Sequence, residues 1–273
     1  LNILRENFHD NRFTRLITQM LNAGYLENWN FNATFSGTPQ GNIASPILSN
    51  IVLDRLDKYV EEQLIPDYTR GLKRKTNPPY NKLNALACKA RKRGEWGYVH
   101  ELKKQMQSMP TYDPNDPNFR RLWYVRYADD FLLGLAGPKD EAVEIKDKIA
   151  EFLRNDLKLE LNHEKTLITH ARDQSAKFLG YEVHVLHEDS KYDHRGQRSI
   201  NGAVGLRIPK KVKEERCARY MRYGKPVHLP QLANDNDYSI VERYQAEYRG
   251  LVQYYRLAYN LHTFTYLRYV MEV

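Results

Sequence analysis

The sequence predicts an α+β fold in which a short antiparallel sheet packs on helices and a helical region follows. Three observations carry this expectation. Two short apolar runs, Leu122-Trp123-Tyr124-Val125-Arg126-Tyr127 and Phe131-Leu132-Leu133-Gly134-Leu135, flank Ala128-Asp129-Asp130, the pattern of two buried strands joined by a tight turn. Apolar residues at helical spacing lie before and after this hairpin. The resulting alternation of helix and strand excludes an all-α or all-β domain. At 273 residues the chain is long enough for one large or two moderate domains with a real core.

Taken in order, residues 1–65 give a first helix ending near Gly24, carried by Leu4, Phe8, Phe13, Leu16, Ile17 and Met20. The loop Gly37-Thr38-Pro39-Gln40-Gly41-Asn42-Ile43-Ala44-Ser45-Pro46 then opens a long helix marked by Leu48, Ile51, Val52, Leu56, Tyr59 and Val60. Pro46 suits a first helical turn, and Gly41 lets a backbone approach another molecule closely. Residues 66–120 are polar, basic and punctuated by Pro66, Pro78, Pro79, Pro110, Pro114 and Pro117, which reads as an insertion. After the acidic hairpin come a helix with Ala142, Ile145, Ile149, Phe152 and Leu153, then strands expected at Leu159–Leu161, Leu167–Ile168 and Leu179–Val185. Beyond about residue 205 the pattern turns helical, with a capping box expected at Ser239-Ile240-Val241-Glu242. Ten of the twenty tyrosines follow residue 215, interleaved with arginines. Aromatic faces stack on bases while arginines track phosphates, although for any single tyrosine packing between helices is the commoner use.

Two adjacent carboxylates on a stiff hairpin hold a hard divalent cation such as Mg²⁺ and leave coordination positions for substrate phosphates. Two such ions clamp the attacking and leaving oxygens of an in-line displacement. Asp129 and Asp130 are therefore the candidate catalytic and metal-binding residues; the alternative is ordinary polar turn chemistry. The formal charge of +8, with a pI near 9.2, favours a polyanionic partner. The basic residues crowd one segment that includes Lys73, Arg74, Lys75, Arg91, Lys92 and Arg93, a candidate RNA-binding stripe. A disordered loop is the alternative reading of that segment.

Three motifs together resemble those of one family, the group II intron-encoded reverse transcriptases, or maturases. Thr38-Pro39-Gln40-Gly41 with Ser45-Pro46, Tyr127-Ala128-Asp129-Asp130 and Phe178-Leu179-Gly180-Tyr181 match its motifs in order and spacing. Leu161 to Thr166 is similar to the segment between the last two, and Tyr248-Arg249-Gly250-Leu251-Val252-Gln253-Tyr254-Tyr255 resembles the family's helical thumb. The resemblance spans nearly the whole chain. It implies a polymerase-type palm over residues 1–205, with the basic insertion at about 66–120, and a helical thumb or maturase domain over 206–273.

It further implies RNA-directed DNA polymerisation, with an RNA template, a DNA primer, deoxynucleoside triphosphates and Mg²⁺, and binding of intron RNA in splicing and mobility. In that scheme Gln40 and Gly41 contact template and nascent pair, Tyr127 belongs to the substrate-binding set, Lys165 serves phosphates, and Phe178, Leu179 and Gly180 form a primer grip. The family places a further metal-binding aspartate upstream, in a segment resembling Asp-x-x-x-x-Phe-Asp. Asp10, in His9-Asp10-Asn11-Arg12, does not match it. The expectation is therefore a chain that lacks the fingers and that first acid and does not extend a primer by itself. Competing readings are an RNA-binding splicing cofactor with a dormant polymerase site, a retron or CRISPR-associated reverse transcriptase, and a palm-bearing RNA polymerase or nucleotide cyclase. Cys88 and Cys217 are too few for a disulfide framework or zinc site, so the expected compartment is reducing, a bacterial cytoplasm or an organellar matrix. No apolar run reaches membrane-spanning length, and the sequence leaves self-association into a homo-oligomer open.

Overall fold

A computed structural model describes residues 1–27, 29–33, 44–188, 190–194, 196 and 199–273. In chain order the elements are α1 (Asn2–Asn7), α2 (Asn11–Asn22), β1 (Tyr25–Glu27), β2 (Asn30–Asn32), α3 (Ser45–Tyr59), α4 (Ile65–Asp67), α5 (Pro78–Lys92) and α6 (Trp96–Gln107). Then follow β3 (Arg121–Tyr127), β4 (Asp130–Ala136), α7 (Lys139–Phe152), β5 (Ala176–Phe178), β6 (Tyr181–Val185) and β7 (Val204–Arg207). The last are α8 (Lys210–Ala218), β8 (Met221–Arg222), β9 (Lys225–Pro226), α9 (Asp237–Tyr254) and α10 (Phe264–Glu272). Every strand pairing among the described residues is antiparallel, so the fold is α+β, helices with small antiparallel sheets. The chain forms two compact units, Leu1–Lys75 with Tyr112–Thr166, and Thr76–Thr111 with Leu167–Val273.

In the first unit the expected opening helix is split in two. Asp10 ends the run by capping α2, its carboxylate accepting from the amides of Arg12 at 2.7 Å and Phe13 at 3.4 Å. Pro46 lies in the first turn of α3, as its locked φ and missing donor favour. Farther along, the helix widens into a π turn over Val60–Leu64, directly before Pro66 removes a donor and crowds the preceding turn. The core gathers Leu56, Val60, Leu64 and Tyr68 from this helix, Leu122 from β3, and Ile145, Ile149 and Leu153 from α7 and its last turn. Tyr59 stacks on Phe152 with ring centroids 4.2 Å apart. Burying each aliphatic side chain contributes roughly 1.5–3 kcal/mol over leaving it exposed. The strands expected at Leu159–Leu161 and Leu167–Ile168 do not form. Lys158 leaves the helix in a left-handed conformation, φ +58°, and Asn162 accepts from the Glu164 and Lys165 amides, 3.1 Å each, to fold the chain into a turn.

In the second unit the basic insertion contains a helical hairpin, α5 and α6, which buries Ala87, Ala90, Val99 and Leu102, against the alternative reading of a disordered loop. Its apolar stripe is built partly from alanine, so a small buried area supports it. The three-stranded sheet runs β5-β6-β7, with Ala176 opposite Val183 and Val183 opposite Leu206. A second core joins Ile208, Cys217 and Tyr220 with Tyr255, Ala258, Phe264, Leu267 and Val270. Asn236, not Ser239, caps α9: its side chain accepts from the Ser239 amide at 2.8 Å.

Candidate active site

The β3–β4 register pairs Leu122 with Leu135, Tyr124 with Leu133 and Arg126 with Phe131, and these residues face the core or α3. The intervening pairs, Trp123 with Gly134, Val125 with Leu132 and Tyr127 with Asp130, lie on the opposite face. There Trp123, Val125 and Tyr127 are exposed, so the strands expected to be buried on both sides are buried on one. The alternation explains this, because successive side chains of a strand must point to opposite faces. The turn itself has two residues, Ala128 and Asp129, with Ala128 at φ +53°. A non-glycine residue in that region is strained and is held there by its surroundings.

The holding group is Arg126. Its Nη1 donates to the Ala128 carbonyl at 2.7 Å and to Asn50 Oδ1 at 3.0 Å. Nε and Nη2 donate to the two oxygens of Asp57, at 2.7 and 2.6 Å. Tyr124 also donates to Asp57, at 2.8 Å. The Arg126 hydrogen bonds hold the Asp57 carboxyl below the usual carboxylate range, while burial, with Asp57 beside it, pushes the Tyr124 phenol up. By contrast, Asp129 and Asp130 are exposed, and neither carboxylate has a hydrogen-bond or ion-pair partner among the described residues. Two hard oxygen donors on consecutive residues, unspent on protein partners, fit a divalent cation. They do not complete a site, since no group of three His, Cys, Asp or Glu side chains suited to a metal exists among the described residues.

Lys165 belongs to the same unit and is exposed on the turn that Asn162 organises. Gln40 and Gly41 lie outside the described residues, as does most of their loop. Phe178, Leu179 and Gly180 belong to the second unit, where Leu179 and Gly180 form the turn between β5 and β6 at φ +47° and +74°. Positive φ at both central residues is the type I′ requirement for a two-residue hairpin, which glycine meets without strain. The end of α9 clasps this turn. Tyr254 donates to the Leu179 carbonyl at 2.7 Å, Tyr255 to the Gly180 carbonyl at 3.3 Å, and Tyr181 to the Tyr254 carbonyl.

The basic stretch is divided between the units. Lys73, Arg74 and Lys75 sit in the first, where Lys73 lies over the Tyr112 ring and Arg74 over the Phe119 ring, 5.4 and 5.1 Å to the centroids. Arg91, Lys92 and Arg93 stand exposed at the C-terminal end of α5, an end whose dipole favours cations. The late tyrosines divide too. Tyr220 and Tyr255 are buried, Tyr220 donating to Glu247 at 2.5 Å, while Tyr223, Tyr238, Tyr254, Tyr259, Tyr266 and Tyr269 are exposed. Arg216 and Arg219 also engage Glu247, at 3.5 and 2.8 Å, so these two arginines are tied to the fold.

A hairpin with two carboxylates unpartnered among the described residues, and a tyrosine-rich helical region later in the chain, are consistent with an α+β fold of the polymerase palm-and-thumb type. Residues 95–183 match the family model described as reverse transcriptase (RNA-dependent DNA polymerase), and residues 206–273 match that described as type II intron maturase. The chain is 35% identical over 289 aligned residues to the group II intron-encoded protein LtrA of Lactococcus lactis subsp. cremoris, covering 100% of this chain and 48% of that protein. It is 33% identical over 273 aligned residues to the putative COX1/OXI3 intron 1 protein of Saccharomyces cerevisiae, 94% of this chain and 32% of that one. Protein YkfC of Escherichia coli is 32% identical over 180 residues, 66% of this chain and 41% of its own length. The chain belongs to the group II intron-encoded reverse transcriptase and maturase family. It spans about half the length of the Lactococcus protein. Reverse transcriptases as a family use divalent metal ions. No helix among the described residues is long and apolar enough to cross a membrane.

Proposed function

We propose that this chain carries the metal-binding hairpin, the primer-seating turn and the helical thumb of an RNA-directed DNA polymerase that also binds intron RNA. The observation that carries the reading is the pair of exposed carboxylates, unpartnered among the described residues, on a turn whose preceding arginine, Arg126, is committed to Asp57. Asp129 and Asp130 would hold Mg²⁺, which when bound stabilises charge on the transferring phosphate and on the attacking primer 3′-hydroxyl. The residues of the chain contribute position. Arg126 fixes the turn backbone through the Ala128 carbonyl, and β3 and β4 are fixed by the core beneath them. Exposed Tyr127, paired with Asp130, offers a ring to the nascent base pair, and exposed Lys165 offers a cation to phosphates. Phe178 to Gly180 would seat the primer end on the turn that Tyr254 and Tyr255 clasp. Gln40 and Gly41 would face template and nucleotide, a role that rests on their motif alone.

The partners in this reading are an RNA template and intron RNA, a DNA primer and deoxynucleoside triphosphates, in a bacterial cytoplasm or organellar matrix. The palm would cover 1–205 and the thumb 206–273, the latter supported by the maturase match that begins at residue 206. The test is primer extension on an RNA template by the full-length protein that contains this chain. Asp129→Asn is expected to lower the rate by at least about a thousandfold, since metal clamping contributes several kcal/mol and each 1.36 kcal/mol is a factor of ten. RNA affinity should stay within about twofold, because the carboxylate is no phosphate ligand. Undiminished extension by Asp129→Asn would overturn the reading.

A further inference from the structure

We propose that Asp57 and Arg126 form a positioning device for the metal-binding carboxylates, an inference that rests on the polymerase reading above. Arg126 lies between the acidic turn and α3, and 12% of its side chain is exposed. Its guanidinium reaches four acceptors on two elements: both Asp57 oxygens and Asn50 Oδ1 on α3, and the Ala128 carbonyl in the turn. Asn50 and Asp57 are seven residues apart, two helical turns, so they present their oxygens on one face. The same cation thereby joins the helix that follows the Gln40 loop to the tip that carries Asp129 and Asp130.

The arrangement does two things. It supports Ala128 in the left-handed conformation that a two-residue turn needs and that alanine resists. It also disposes of a positive charge. Without Asp57, the guanidinium three residues before Asp129 would be an uncompensated positive charge next to the acidic turn and would oppose a cation there. Asp57 engages it bidentately first, with Tyr124 donating to the same carboxylate and fixing its orientation. Lysine at position 126 would keep the charge but not the planar fork that spans the Asp57 oxygens and the Ala128 carbonyl together.

The experiment uses the full-length protein and two readouts, cation binding and primer extension. Terbium(III) stands in for the divalent cation, with emission sensitised by the tyrosine Tyr127 next to the turn. Wild type should show a titratable emission that Asp129→Asn removes. Asp57→Asn should raise the terbium concentration at half-saturation and the Mg²⁺ concentration for half-maximal extension by about fivefold or more, with primer-template affinity within about twofold. Arg126→Gln placed on Asp57→Asn removes the released charge. It should bring the metal requirement back toward wild type while the rate at saturating Mg²⁺ stays at least about tenfold low, because the Ala128 carbonyl is still unheld. A purely structural pair would lower the melting temperature and leave the metal requirement unmoved in every variant, which overturns the proposal. Equal terbium binding by wild type and Asp57→Asn overturns the proposal alone. Terbium emission unchanged by Asp129→Asn overturns the polymerase reading and the proposal with it.

Discussion

Gly180→Ala probes the clasp at the end of α9 with a single methyl group. At φ +74° the new side chain occupies the left-handed region, which costs an L-residue roughly 1–2 kcal/mol, partly offset by about 0.4–1 kcal/mol from the stiffer unfolded chain. Its Cβ would stand 3.3 Å from the hydroxyls of both Tyr254 and Tyr255, tighter than ordinary van der Waals separation. Those hydroxyls donate to the Leu179 and Gly180 carbonyls, and displacing one forfeits about 0.5–1.5 kcal/mol. The net expectation is a loss of roughly 1–3 kcal/mol, or a fall of about 3–10 °C in melting temperature for a unit of this size. Thermal unfolding followed by circular dichroism measures it, alongside Tyr254→Phe and the double variant. Removing the Tyr254 hydroxyl makes room for the methyl, so the double variant should cost less than the two singles together by about 0.5 kcal/mol or more. Wild-type stability for Gly180→Ala, or strict additivity in the double variant, would refute the clasp as drawn. If the turn seats a primer, Gly180→Ala should also raise the primer concentration needed for half-maximal extension.

Two further outcomes are expected. Removing Lys73, Arg74 and Lys75 together should flatten the plot of log RNA affinity against log salt by up to roughly 0.7–0.9 for each phosphate left unneutralised, with Tyr223→Ala as a control that leaves the slope alone; an unaltered slope would mean that RNA is held elsewhere. For Asp57 the folded-state pKa is depressed, so its stabilisation is present above the unfolded value near 3.8 and is lost as pH falls through the folded value. Acid unfolding should therefore be shallower for Asp57→Asn than for wild type below about pH 4, and identical acid limbs would show that the Arg126 pair contributes no linkage.

What could be read from the chain and what could not divides by the range of the interaction. The β3–β4 hairpin was legible because a two-residue turn between alternating strands is a local pattern, and the acids could stand nowhere else. The entry of α3 was legible because Pro46 acts on its own turn. The strands expected after α7 failed at Lys158 and Asn162, where a left-handed residue and a side-chain acceptor bend the chain whatever the apolar spacing suggests. The cap of α9 was misplaced by three residues because Asn236 and Ser239 both suit an N-cap, and the competition is decided by backbone geometry. The α5–α6 hairpin was hidden by its charge, since buried alanines leave a weak apolar signal. The least legible feature, the Asp57–Arg126 pair, spans 69 positions and has no periodicity to announce it. Its one sequence trace is an arginine placed just before an acidic turn. Under the polymerase reading, such a charge left unpaired would oppose a cation at the adjacent turn, and the carboxylate that takes it up comes from α3.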